Sequence, residues 1–173
     1  YFNKNYPQII TAPSKYKELA FKYISQEIIT PQTNSIYAAN FSSDMNNLIL
    51  GTKHGSLEQI NLFSKEPNDL SNYNNMIIWS LCFDKNNKNI FLGLDDGTIK
   101  KYDFPNNSSQ NILKLHEPIY CLTSLDDESD IGYTQGGFLG STQNHKQTKV
   151  LDNDINSICY FREGSEIGFG DKI

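Results

Sequence analysis

Four segments of the chain begin with the same short pattern and follow one another at nearly constant intervals. Each opens with isoleucine, has a small third residue and an apolar fourth residue, and in three of the four the sixth residue is aromatic. The segments are Ile36–Phe41, Ile78–Phe83, Ile119–Ser124 and Ile155–Tyr160. Their opening isoleucines lie 42, 41 and 36 residues apart. A period of about 40 residues indicates a repeat architecture, in which each unit buries its apolar surface against the next unit.

Glycines recur at fixed distances after these isoleucines. One glycine follows after 15 residues in three copies, and a second follows after 19 residues, or after 18 in the third copy. We attribute the smaller spacing in the third copy to a shorter loop at 126–130. At the second glycine we predict hairpins of the two-residue type, where the turn requires a positive φ. The predicted structural turn glycines are Gly51, Gly55, Gly93, Gly97, Gly137 and Gly170.

The apolar segments of each unit are typical of strands and not of helical repeats. They are short, rich in β-branched and aromatic residues, and separated by Asn, Asp and Gly. In the second unit we predict four strands in succession: 78–83, 90–92, 98–104 and 110–115. Because the segments are nearly continuously apolar, we expect sheets that bury both faces against neighbouring sheets. The sequence therefore predicts an all-β fold of four-stranded antiparallel units.

The second unit resembles the repeat of the WD family of β-propellers. Ile78–Phe83 is similar to the family's inner strand, Asp96-Gly97 to its Asp-Gly turn, Tyr102-Asp103 to its Trp-Asp pair, and Leu115-His116 to its Gly-His pair. The resemblance implies β-propeller blades. About three and a half repeats do not close a ring, which generally takes at least four blades, so we expect a partial ring or a fragment of a larger propeller.

Other units depart from the family pattern. The third strands end in Ile60-Asn61 and Thr142-Gln143 where the family has Trp-Asp. The family's buried network of His, Ser or Thr, Asp and Trp is complete in no unit, although His116 has a possible partner in Thr134. Since a half-satisfied buried network costs stability, we expect the blades to depend mainly on apolar packing.

Residues 1–34 precede the first repeat and are predicted to form an N-terminal extension. Alternation of Leu19, Phe21 and Tyr23 with other residues favours an outer strand at 18–29, whereas a helix capped by Ser14 is the alternative. Residues 35–173 then hold WD-like repeats that start near residues 36, 78, 119 and 155, the last of them truncated.

Composition excludes several classes of function. The formal net charge of −5 argues against nucleic-acid binding, which requires clustered Lys and Arg. No apolar run approaches the roughly 18 residues that cross a bilayer. The three cysteines, Cys82, Cys121 and Cys159, are widely spaced in apolar segments, which favours reduced thiols and a reducing compartment. We expect an intracellular protein, either cytoplasmic or nuclear.

Residues that could support catalysis are scattered. His54, His116 and His145 are far apart and have no metal-ligand spacing, and the paired acids Asp95-Asp96 have no neighbouring base or nucleophile. The glycine-rich stretch 132–140 lacks the Lys-Ser/Thr of a phosphate loop. We predict no catalytic site, no metal and no cofactor.

One set of positions is a candidate surface for partners. In WD-type propellers the residue after the opening isoleucine and the turn between the second and third strands lie at the top rim of the central channel. Aromatic side chains there suit interfaces, and packing between the blades is the alternative. The candidate contacts are Tyr37, Trp79, Tyr120, Asn156, His54 and Asp96. The repeat and the lack of catalytic chemistry predict a non-catalytic scaffold subunit of a multi-protein complex. A regulatory or sensor domain of a larger enzyme is the alternative, and an enzyme site in the channel using Asp96 or His116 is a third hypothesis.

Overall fold

The structure is a computed structural model that describes residues 35–64, 66–84, 86–124, 130–143, 147–161 and 166–171. For 159–161 and 166–171 it describes the backbone alone. The predicted extension at 1–34 with its strand at 18–29 lies outside the described residues, as does His145.

The described residues form fourteen strands and no helix. The first sheet contains β1 Ile36–Phe41, β2 Asn47–Thr52, β3 Ser56–Asn61 and β4 Pro67–Asn72. The second contains β5 Ile78–Phe83, β6 Asn89–Leu94, β7 Thr98–Asp103 and β8 Ser108–Lys114. The third contains β9 Cys121–Ser124, β10 Ile131–Gln135, β11 Phe138–Ser141 and β12 Gln147–Lys149, and a fourth pairs β13 Ile155–Phe161 with β14 Glu166–Asp171.

Strands follow one another across each sheet in chain order, and every described pair is antiparallel. The prediction of all-β, four-stranded antiparallel units is confirmed. The first strands of successive sheets, β1, β5, β9 and β13, contact one another in turn, so they form the inner row. The third inner strand begins at Cys121, two residues later than the repeat pattern indicates.

Apolar side chains fill the space between successive sheets. Ile49 and Leu57 of the first sheet lie in one core with Ile78 and Leu92 of the second. A second core joins the second and third sheets through Phe91, Ile99, Ile119, Ile131 and Tyr133. Full burial of one such side chain stabilises the fold by about 1.5–3 kcal/mol. The outer strands β4, β8 and β12 are mostly exposed, so the buried residues of the cores come mainly from the other strands of each sheet.

Three of the predicted turn glycines lie inside strands, and their assignment to turns was wrong. Gly51 is in β2, Gly93 in β6 and Gly170 in β14. A Cβ on Gly51 would lie 2.5 Å from Ile78 Cγ2, and a Cβ on Gly93 would lie 2.6 Å from the backbone oxygen of Ile119. Glycine is needed at these two positions because the opening isoleucine of the next blade occupies the space.

The predicted two-residue hairpins have three residues in the first two blades. Lys53–Gly55 joins β2 to β3 and Asp95–Gly97 joins β6 to β7, with positive φ at Gly55 (82°) and Gly97 (81°). The Gly55 N–H bonds the Thr52 oxygen at 3.2 Å, and the Gly97 N–H bonds the Leu94 oxygen at 3.1 Å. A tight turn followed by a left-handed glycine is the usual three-residue hairpin.

The third blade has a two-residue hairpin between β10 and β11, one residue shorter than the hairpins of the first two blades. This difference accounts for the smaller glycine spacing in the third copy. Gly137, predicted as a turn glycine, lies in this hairpin, and the positive φ (54°) is at its neighbour Gly136. The loop at 126–130 is not shortened, because Ser124 pairs with Ile131 just as Phe83 pairs with Ile90.

Polar side chains at the blade boundaries bond mainly to backbone oxygens. Ser80 Oγ donates to the Ile119 oxygen and Thr134 Oγ1 donates to the Ile155 oxygen, both at 3.1 Å. Thr134 therefore does not pair with His116, which is exposed. In the Trp-Asp-like pair, Tyr102 is buried and its hydroxyl donates to Asn107 Oδ1 at 2.5 Å.

Candidate functional site: an aromatic rim

The starts of the inner strands and the hairpin turns lie at the same end of the sheets. Ile36 pairs with Thr52, the last residue before the first hairpin, and Ile78 pairs with Leu94, the last before the second. The Asp95 N–H bonds the Ile77 oxygen at 3.0 Å and fixes the second hairpin beside β5. We call this end of the sheets the rim: residues 37, 79, 120 and 156 together with the turns 53–55, 95–97 and 136–137.

Three aromatic side chains form a continuous row along the rim. The ring centroids of Tyr37 and Trp79 are 4.9 Å apart at an interplanar angle of 84°, and those of Trp79 and Tyr120 are 5.4 Å apart at 71°. Both contacts are edge-to-face, a geometry that aromatic quadrupoles favour. The row crosses three successive blades. Tyr37 is exposed, and Trp79 and Tyr120 are partly exposed.

Backbone irregularities present two of these rings at the surface. The pairing of β1 with β2 shifts register between Ile36 and Ala38, and that of β5 with β6 shifts between Ile78 and Ser80. Tyr37 and Trp79 are therefore the extra residues of β-bulges. A bulge redirects a side chain relative to regular alternation, so Ile78 is buried while the next residue reaches the rim. The same shift occurs at Asn156, between Ile155 and Ser157.

Trp79 is tied to a residue that the sequence reasoning did not select. Its indole Nε1–H donates to Asp95 Oδ1 at 2.8 Å. This bond holds the ring against the hairpin turn of its own blade. A tryptophan followed at a distance of 16 residues by the first acid of an Asp-Asp-Gly turn is the signal that could have identified the pair.

Asp96, which the sequence did select, belongs to the turn itself. It forms an ion pair with Lys114 across the sheet, and its Oδ1 accepts the Thr98 N–H at 3.0 Å. Partial burial opposes ionisation, but the bonds from Lys114 and Thr98 outweigh it and lower the pKa of Asp96 below its ordinary value. The negative charge of the Asp96 carboxylate is thus already balanced by Lys114.

Carboxylates surround the Tyr120 end of the row. Burial, followed by the charges of Asp154, Asp95 and Glu117, raises the pKa of Tyr120. Glu117 Oε2 and Asp154 Oδ1 lie 3.1 Å and 3.8 Å from the point where a Cβ on Gly136 would be. The rim therefore combines aromatic surface with three nearby acidic groups.

The remaining candidates make none of the ring contacts that form the row. Asn156 is exposed, and its backbone oxygen accepts a bond from Cys121 Sγ at 2.7 Å. His54 is exposed in the first hairpin, beside Lys53. The structure therefore brings together Tyr37, Trp79 and Tyr120 and leaves His54 outside the ring contacts.

Chemically reactive groups are few in the described part of the chain. No cluster of three or more His, Cys, Asp or Glu residues there could hold a metal ion. Burial and the neighbouring Asp84 raise the pKa of the Cys82 thiol to about 12, so the thiol stays protonated. In the same described residues, no helix is long and apolar enough to cross a membrane.

Comparisons with known proteins identify the fold. No protein-family profile and no curated protein matches the sequence. A propeller chain in the "Crystal Structure of Mitotic Checkpoint Complex" superimposes with a TM-score of 0.66 at 13% identity. The match covers 79% of this chain and 43% of that chain, so this chain spans less than half the length of its structural neighbour. The described part of the chain consists of β-propeller blades, and an identity this low establishes the fold alone.

Proposed function

We propose that the chain is a WD-type propeller that acts as a non-catalytic scaffold for protein partners in a larger intracellular assembly. The observation that carries the proposal is the row of Tyr37, Trp79 and Tyr120, whose rings contact one another at the rim. The repeats that begin near residues 36, 78, 119 and 155 are its blades.

The row has the properties of a protein interface. Trp and Tyr are enriched among the residues that dominate binding energy, because they bury a large area and lose little conformational entropy. The Trp79–Asp95 bond and the ring contacts hold the central side chain in place before a partner arrives. Such preorganisation lowers the entropic cost of association.

The structural neighbour gives supporting context. By its title, that propeller belongs to a multi-protein complex. A scaffold needs a rigid frame with an exposed contact surface, and here the frame is formed by the sheets and the apolar cores packed between them. The rim is the part of the described chain where aromatic surface is continuous across blades.

A pair of aromatic substitutions tests the proposal. Trp79→Ala removes the centre of the row. Phe63→Ala is the control, because it removes a separate ring that is 75% exposed. Phe63 lies in the β3–β4 connection, at the opposite end of the first sheet. We expect the tagged full chain and Phe63→Ala to copurify with the same defined partners from native extract, and Trp79→Ala to lose them.

Two results would overturn the scaffold proposal. One is a full chain that elutes from native extract as a monomer at physiological protein concentration. The other is a folded Trp79→Ala variant, verified by circular dichroism, that keeps every partner in unchanged amounts.

A further inference from the structure

We propose that the rim around Trp79 and Tyr120 binds a basic segment of a protein partner, one that places an Arg or Lys side chain against the aromatic rings and beside the carboxylates. This inference rests on the proposed function and specifies the chemistry of the partner. It concerns five residues: Trp79, Tyr120, Asp95, Glu117 and Asp154.

Aromatic rings and acids meet at this point of the rim and at different elements of the chain. The rings come from the starts of two inner strands, and their centroids are 5.4 Å apart. Asp95 comes from the second hairpin, Glu117 from the connection after β8, and Asp154 from the connection before β13. Asp95 bonds the Trp79 indole. Glu117 and Asp154 both lie beside Gly136, so three separate connections bring negative charge to this part of the rim.

Two acids close in sequence to these three are each paired with a cation. Asp96 is paired with Lys114, and Asp152 is paired with Lys149 at 2.7 Å. Within the described ranges, no ion pair is formed by Asp95, Glu117 or Asp154. Their charge is therefore available to a partner, and a cation in the partner would complete the site.

The chemistry of the rings favours the same occupant. A cation near a Trp or Tyr face is attracted by the ring quadrupole, and the attraction is strongest for Trp. A guanidinium group can also stack on an aromatic ring while it donates to a carboxylate. An acidic or phosphate-bearing partner would instead meet three like charges, in a chain whose formal net charge is −5.

Backbone and side-chain bonds fix the segments that carry the acids. Next to Asp154, the Ile155 N–H donates to the backbone oxygen of Gly136 at 2.9 Å. Gln135 Nε2 donates to the backbone oxygen of Glu117 at 3.1 Å. Asp95 is held by its own N–H and by the Trp79 indole. Little ordering is left to occur on binding, which favours measurable affinity for a short segment.

Peptide binding to the purified full chain tests the inference. Three peptides of one length and background are compared, with Arg, Lys or Gln at a single central position. We expect the Arg and Lys peptides to bind and the Gln peptide to bind at least about fivefold more weakly, since the cation–π and charge contacts are lost. Affinity for the Arg peptide should fall as salt is raised, because screening weakens exposed charge pairs.

Matched variants assign the effect to this part of the rim. Glu117→Gln should weaken binding of the Arg peptide about threefold, and Trp79→Ala about thirtyfold. Glu66→Gln removes an exposed acid from the opposite end of the first sheet and should leave the affinity unchanged.

The outcomes separate this inference from the scaffold proposal. Equal affinities for the Arg and Gln peptides, or an unchanged affinity in Glu117→Gln, would overturn the basic-partner inference. If Trp79→Ala still lost its copurifying partners in that case, the rim would remain the interface and only the partner's chemistry would be wrong. If copurification were also unaffected by Trp79→Ala, both proposals would fail.

Discussion

The boundaries between blades and the rim use neighbouring residues of the same inner strands for different purposes. Ile78 is fully buried and packs against Gly51 of the preceding blade, whereas Trp79, the next residue, contacts two tyrosines at the surface. The bulge at the start of β5 separates the two roles. Substitutions at the boundaries should therefore change stability, and substitutions at the rim should change binding.

The largest expected effect on the boundary side is that of Gly93→Ala. The added methyl group would collide with Ser80 Oγ and lie 2.6 Å from the Ile119 backbone oxygen, so the second and third blades must separate locally. We expect a loss of about 3 kcal/mol in the free energy of unfolding. Denaturant titration of the full chain measures it, with Ser108→Ala on the exposed strand β8 as the control. A loss below about 0.5 kcal/mol would contradict the close packing.

A smaller effect is expected from the hydrogen bonds between blades. Ser80→Ala and Thr134→Val each remove one side-chain donor to the opening isoleucine of the next blade. Each change should cost about 1 kcal/mol of unfolding free energy. Thr148→Val, on the exposed strand β12, offers the matched control and should cost little. If Thr148→Val were as costly as Thr134→Val, strand propensity and not the hydrogen bond would explain the loss.

The smallest effect concerns a buried acid away from both regions. Glu58 is buried in β3 opposite Asp69 of β4, and burial together with the charge of Asp69 raises its pKa above the ordinary value of 4.5. Between pH 4.5 and the raised pKa, Glu58 is therefore protonated in the folded state and ionised in the unfolded state. This contribution to stability is complete below pH 4.5 and is lost as the pH rises through the raised pKa.

Glu58→Gln cannot ionise, so its stability should change less than that of the unmodified chain between pH 4 and 7, and at neutral pH the variant should be slightly more stable. Urea titrations across that range measure the difference. An identical pH dependence in the two proteins would show that Glu58 is not the group responsible.

The sequence was sufficient for the repeat but not for the details that arise from pairing between strands. Strands begin at three of the four repeated isoleucines because the apolar pattern is local. The bulge that exposes Trp79 depends on register with β6, and the choice of Asp95 over Asp96 depends on the three-residue turn. Gly51 and Gly93 could not be assigned to the boundaries because the isoleucines that pack against them lie in the next blade.

The most direct test of the central claim uses the one tryptophan of the chain, Trp79. Its indole N–H gives a single nuclear magnetic resonance signal, which reports on the rim without ambiguity. We predict that titration of the full chain with the Arg peptide shifts this signal in proportion to binding, and that the Gln peptide needs an at least about fivefold higher concentration for the same shift. An indole signal that does not move while the Arg peptide binds would contradict the account, because the partner would then contact another surface.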